Sequence, residues 1–515
     1  MMASLISVII AFSLFAAAGI QVALTNFQVV GRAVDSQQAF NVAEAGLNYY
    51  LWHLNHNSTD YKDGTSVTTQ DPSLGYGPFT HNYINKDGQT AGSYSIYVKP
   101  PVTGSTVVTV RSVGVAGGSK LKRTVQAQIG SPSFANYGVV SDSALWFGNT
   151  ETADGPVHSN QGIRMDGTNT STVSSGSATY TPPGSLGGDG AVHNGVWCNT
   201  GVTTPINCVS RPKTNWVYPV TAVDFNQVST SLCTIKKIAF AANSATASLA
   251  TQSNACTQVP TTRTSSYLPQ RSATYNLSRG YLIQLNTNGT YDLYNVNGET
   301  DTNTTYSTSL SLTAVATGIS IPASGVIYAE DNVWVRSNPT YHGRVTIAAG
   351  KLASTNTSNY ANIVLADQLL YTTKNGTDAV GLIAQDSVIL APYAPPRTGA
   401  FNFEVDAAVL SQTGEVWYPG TYRSDTNRCT RGWSASNQTF LFYGSVAARQ
   451  TWTWSWLFGA SACGDAAFLS GTGYVGGLVN NTSEYDYNLR YSPPPSYPLT
   501  AGYNILSWRE VLTKP

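Results

Sequence analysis

Asp367, Asp386 and Asp406 lie 19 and 20 residues apart, in a stretch whose apolar cadence repeats at about that interval. Carboxylates stacked on successive coils, about 5–9 Å apart, could supply the acid and base of glycoside hydrolysis. Aspartate at the corner of a coil also bonds backbone and favours turns, and this simpler reading is adopted. His158 and His193 each follow a Val on early repeats, and are expected as stacked structural residues rather than metal ligands. No Ser-His-Asp arrangement, phosphate loop or EF-hand pattern appears, so a non-enzymatic chain without cofactor or metal is expected.

A second candidate is aromatic. The run TWTWSWLF sets Trp452, Trp454 and Trp456 on one side of a strand, with Arg449 nearby. Such a row could stack on sugar rings or on nucleobases, the latter for about 1–3 kcal/mol per base, or could simply close the end of the fold. Cys198, Cys208, Cys233, Cys256, Cys429 and Cys463 show no CxxC pair and no His at metal spacing, which argues against zinc. Short loops close most easily, so 198–208, 233–256 and 429–463 are the expected disulfides, in an oxidising extracytoplasmic compartment. Lys236 and Lys237 read as a solvated helix face, and Asn-x-Ser/Thr triplets such as those at Asn57 and Asn356 follow from composition.

The chain has 515 residues, with 28 basic and 28 acidic side chains and only 11% charged residues. That balance excludes gripping nucleic acid by counter-ion release over the whole surface, and leaves only a local site working by stacking and a few cations. A hydrophobic share of 42% and an aromatic share of 11% exclude a disordered chain.

The N-terminus must position whatever the rest displays. Met1 to Gly31 holds no Asp, Glu, Lys, Arg or His, and the run MMASLISVIIAFSLFAAAGIQVAL is long enough to cross a bilayer core of about 30 Å as a helix. It lacks the basic start of a secretory signal peptide. Either Met1 opens a transmembrane anchor, or a basic leader has been cut away and Met1 is a mature end. Phe40, Ala43, Leu47, Tyr50 and Leu54 recur at helical spacing, carrying the helix on to about Leu54 as half anchor and half packing surface. The large apolar residues up to Val30 each cost about 1.5–3 kcal/mol in water, so the helix is expected to pass from bilayer into a polymer core.

The segment GRAVDSQQAFNVAEAGLNYYLWHL resembles the N-terminal region of type IV pilin-like proteins, particularly PilX-like minor pilins, through Gln37, Gln38, Ala39, Phe40, Ala43, Glu44, Ala45, Gly46 and Leu47. The resemblance implies export through the cytoplasmic membrane as a prepilin and cleavage by a prepilin peptidase. It also implies packing of the helix into an extracellular pilus at the bacterial cell surface, alone or with other pilin subunits. On it, Met1, Leu5, Phe12, Phe15, Gly19, Phe27, Phe40, Glu44 and Leu47 are the candidate polymerisation residues. Many pilins carry Glu at the fifth mature position; Leu5 stands there here, which tilts toward a minor or tip subunit. Family precedent and glycine's weak helix propensity imply unwinding near Gly19 in the assembled state.

Beyond the helix the chain reads as mainly β. Residues 55–136 alternate as a small pilin-like sheet. Residues 137–198 and 321–480 repeat an apolar cadence at 18 to 37 residues, which predicts a β-solenoid, with a β-sandwich of hairpins as the alternative. Residues 199–320 read as an inserted α/β module, with a helix at Phe225, Val228, Leu232, Ile235 and Ala239 capped by Asp224, and a hairpin turning at Asn288-Gly289. Residues 481–515 close the chain. This layout, with the closing ILSWRE, resembles the large competence-associated pilins. Three functions are thereby in play: a filament subunit, a tip receptor for DNA or surface glycans, and a glycan-cleaving solenoid.

Overall fold

The computed structural model describes residues 2–512, apart from 59, 102–104, 150, 201–207, 209–211, 272–278, 303–306, 392–400, 419–437, 459–468, 471–472, 479–480 and 501. The chain is mainly β with a long N-terminal helix, and it divides into two compact units. Met1–Val102, Thr106–Ser131 and Gly502–Pro515 form the first; Thr103–Ser105 and Pro132–Ala501 form the second.

In the first unit a single helix, α1 (Met2–His56), runs unbroken through Gly19. Strands β1 (Tyr76–Ile84), β2 (Thr90–Lys99), β3 (Val107–Ala116) and β4 (Lys122–Gly130) make an antiparallel meander. The last strand of the chain, Asn504–Val511, joins its edge beside β4. β2 and β3 bury alternate residues, as a sheet with one wet face must. Their buried side receives Val42, Ala43, Leu47, Tyr50 and Leu54 of α1 against Ile96, Val98, Val108, Val110, Val125, Ala127 and Ile129. The approach is close enough to demand glycine. A Cβ on Gly114 would lie 2.2 Å from the Ala39 carbonyl oxygen and 2.3 Å from the Ala43 nitrogen.

The second unit is built on two long ladders. In the first, parallel strands run in the order Trp216–Val217, Val173–Ser175, Val157–Ser159, Val139–Ser141, Gln438–Ala448, Phe401–Ser411, Ala379–Ala384, Arg344–Ala349, Val326–Ala329 and Tyr267–Leu268. The second pairs Asn332–Asn338, Ile363–Leu365, Val388–Leu390, Val416–Trp417 and Trp452–Thr453 in parallel. Many of these strands, such as Val326–Ala329, Ile363–Leu365, Ala379–Ala384 and Val388–Leu390, are buried at every position and read as apolar runs rather than alternations.

The structure does not give the β-solenoid that the repeats predict. Residues 139–217 step outward from the middle of the first ladder, and residues 267–448 step back toward it from the other end, closing on Val139–Ser141. A parallel ladder rewards an apolar strand for the two neighbours it gains, whichever part of the chain supplies them, so repeat spacing does not specify the order. The hairpin Gly280–Asn286 and Thr290–Thr302 is not set apart in a module over 199–320. Gly280–Asn286 pairs in parallel with Asn332–Asn338 and extends the second ladder.

Between the two runs lies α2 (Gln227–Ala241), which buries Val228, Leu232, Ile235 and Ala239 as its spacing predicts. Asp224 does not cap it; it lies two residues before the N-cap Asn226, whose N–H its carboxylate accepts at 2.9 Å. Lys236 corrects the solvated-face reading. It is fully buried, paired with Glu330, and donates to the Cys256 carbonyl at 2.9 Å. Cys198–Cys208 and Cys233–Cys256 are the disulfides that loop length predicts. Cys429 and Cys463 lie outside the described residues.

Candidate functional site

The polymerisation candidates divide along α1. Every described residue from Met2 to Val34 is exposed, with Leu5 at 67%, Phe12 at 76%, Phe15 at 79% and Phe27 at 76%. Met1 lies outside the described residues. Nothing approaches within 4 Å of where a Cβ on Gly19 would sit. This half of the helix is long and apolar enough to cross a membrane and has no protein covering it. Leu47, by contrast, is spent inside its own unit at 2% exposure. Phe40 meets Trp508 edge to face at 5.8 Å, with the Arg123 guanidinium 5.2 Å from its centroid. Arg123 is held in turn by Glu510 and by Ser36, to which it donates at 2.7 Å. Glu44 lies beside a shallow cleft of about 190 Å³ with Leu47, Asn48, Ile505 and Trp508.

The strand expected to carry the three tryptophans is split between two sheets, and the Trp452 and Trp454 rings meet edge to face at 6.1 Å. Trp452–Thr453 belongs to the second ladder, whereas Ser455–Phe458, which carries Trp456, pairs antiparallel with Gly473–Gly477. The chain changes sheet at Trp454, whose indole is buried, meets Phe440 edge to face at 5.3 Å, and donates to Ser483 Oγ at 3.2 Å. The Trp456 side chain lies outside the described residues. Arg449 is turned to other work, binding Asp142 at 2.9 Å and Asn226 at 3.3 Å.

What Trp452 does meet is a cleft of about 290 Å³, lined with Phe147, Glu151, Asp154, Thr482 and Glu484. The two rings are 5.4 Å apart and tilted by 46°. One Glu151 oxygen accepts the Gly148 N–H at 3.0 Å, and burial raises this carboxyl above its ordinary range. Asp154 is fixed at both oxygens, accepting from Thr170 Oγ1 at 2.7 Å and from the Tyr485 N–H at 2.9 Å. Sequence reasoning found Trp452 but missed these acids, because Glu151 and Glu484 stand more than 300 positions apart and only the ladder joins them.

The spaced aspartates do not make a catalytic row. Asp406 sits within Phe401–Ser411 of the first ladder, Asp386 precedes Val388–Leu390 of the second, and Asp367 follows Ile363–Leu365. Asp406 is buried, accepts the Tyr371 N–H at 2.8 Å, and has Lys374 Nζ at 3.3 Å. Burial pushes it up to about 7, against the pull of that N–H and of Lys374. Its true neighbour is Glu404, two residues before it on the same strand face, which also pairs with Lys374. Burial likewise raises Asp386.

His158 is buried between Ser174 Oγ at 3.0 Å and Asn160 Oδ1 at 2.9 Å, and burial lowers its pKa. His193 lies elsewhere, stacked on Trp197 at 3.5 Å and bonded to Asp189 at 2.9 Å, so the two histidines do not stack on each other. Trp197, Arg164 and Trp146 continue that pile, with the Arg164 guanidinium 4.6 Å from the Trp146 ring centre and 5.5 Å from that of Trp197.

Among known proteins, no family model matches the chain and no curated protein matches it. Among solved structures, the chain is similar to the competence-associated pilin ComZ from Thermus thermophilus, at 12% identity and a TM-score of 0.28, over 93% of this chain and 98% of that one.

Proposed function

We propose that this protein is a non-enzymatic structural subunit of an extracellular type IV pilus-like filament on the bacterial cell surface. The observation that carries the proposal is the division of α1: an apolar half with no protein cover, continuous with a half that packs its own sheet. In water the exposed half would cost tens of kcal/mol, at about 1.5–3 kcal/mol for each large apolar side chain. Lipid before assembly, and neighbouring subunits' helices after it, remove that cost without any refolding. The two-ladder unit is then displayed outward for contact with surfaces. The test is electron microscopy of filaments from cells carrying Phe12→Asp and Phe15→Asp. Loss of this subunit from filaments, with the second unit still folded, supports the reading; normal incorporation of the double variant sinks it.

A second reading, an adhesin at the filament tip, is favoured by the aromatic cleft at Trp452. Immunogold labelling along the shaft supports the structural subunit, and one copy at each end supports the tip.

A further inference from the structure

We infer that the cleft beside Trp452 binds a pyranose carrying a free amine, and that nucleic acid is excluded from it. The inference goes beyond the filament reading and does not depend on it. At about 290 Å³ the cleft is at the small end of the range for ligand sites, of the order of one or two sugar rings. Its accessible aromatic surface is the half-buried Trp452, backed and held in place by the buried Phe147. An indole accepts the apolar C–H face of a sugar as readily as it accepts a base, so the aromatic surface alone does not discriminate.

The walls discriminate. Three acidic residues, Glu151, Asp154 and Glu484, stand around the cleft, and among the described residues no Lys or Arg lines it. A phosphodiester brought against these acids meets like charge at short range in a partly desolvated site. Sugar hydroxyls, by contrast, are donors that carboxylates accept, and an ammonium group forms the stronger charge-assisted bond with the same oxygens. An ammonium over the Trp452 ring gains a cation–π contribution as well. Asp154 is held in place by bonds from Thr170, Tyr485 and Tyr487, so it supplies a fixed charge, while Glu151 and Glu484 are the less constrained acids that receive the ligand. The acids are spread around the cleft rather than converging. Among the described residues no three His, Cys, Asp or Glu side chains close on a point where a metal ion would sit, which favours an extended organic ligand.

The test uses the full chain in a detergent whose headgroup is not a sugar. Tryptophan fluorescence and titration calorimetry read the binding of a glucosamine trimer, of its N-acetylated counterpart, and of a short single-stranded oligonucleotide. The glucosamine trimer is expected to bind, the acetylated trimer to bind several-fold more weakly, and the oligonucleotide not to compete. Trp452→Ala is expected to weaken the glucosamine trimer about ten-fold or more, and Trp452→Phe by about three-fold or less. Should Trp452→Ala misfold by circular dichroism, the exposed Glu484→Gln decides, losing the preference for the free amine while the fold is kept. No sugar binding by the unaltered chain, equal binding of the two trimers, displacement by the oligonucleotide, or unchanged affinity in Glu484→Gln would each overturn the assignment.

Discussion

Lys236 shows what a single buried charge does in this fold. Its ammonium has no exposed surface and is paired with Glu330, whose other neighbours include Tyr267 at 3.3 Å. Burial raises Glu330 to about 7 and lowers Lys236, each opposed by the partner's charge. Removing one member therefore costs more than removing both, because a lone charge is left in an apolar site. Lys236→Ala is expected to destabilise the second unit by about 3–5 kcal/mol, while Lys236→Met with Glu330→Leu comes out near neutral, as denaturant unfolding will measure. Asp406 gives a pH dependence. Its folded pKa, about 7, lies above the ordinary value of 3.8, so between those values the folded state holds the extra proton. Stability is then greatest at the acid side of this window and declines as pH rises from about 4 through about 7, by roughly 1–3 kcal/mol. In Asp406→Asn that part of the decline should vanish from thermal unfolding profiles; an unchanged profile would place the titration elsewhere.

At the level of elements, α1 and its sheet are fitted by glycine rather than by bulk. Gly114 lets β3 run against the backbone of α1, and the nearest atoms to an added Cβ are the Ala39 oxygen and the Ala43 nitrogen, which no rotamer change can move aside. Gly114→Ala is expected to cost about 1–3 kcal/mol and to open α1 to proteolysis near Tyr50 before the second unit yields. Limited digestion followed by mass spectrometry will locate the cut. The same substitution at Gly118 meets no atom within 4 Å but must hold φ at +78°, so its cost would be strain rather than crowding.

Over the whole molecule, charge and apolar surface are partitioned. The 28 acidic and 28 basic residues leave no net charge, and α1 has none of them before Arg32. Exposed large apolar side chains are thus concentrated in one segment. Deletion of residues 2–33 is expected to yield a chain that stays in solution without detergent and sediments as a monomer with its β content intact. Sedimentation velocity and circular dichroism will check this; association that persists after the deletion would mean that other surfaces drive it. Unaltered chain is expected to remain in detergent or in filaments under the same conditions.

Local signals were legible where the physics is local. The stripe from Ala43 to Leu54 appeared as a buried helix face, the alternation in β2 and β3 as a half-buried sheet, and the short cysteine loops as bridges, because each depends on neighbours within a few dozen residues. Lys236 was misread, since nothing near it in sequence reveals Glu330. Trp452, Trp454 and Trp456 looked like one face of a strand until the burial of Trp454 turned the chain into another sheet. Composition and periodicity thus establish an apolar helix, a mainly β body and many stackable apolar strands. Which strand lies beside which, and therefore which acids surround Trp452, is settled by pairings between residues hundreds of positions apart. A parallel ladder accepts any apolar strand of suitable length, so that choice is made by the packing of the whole unit.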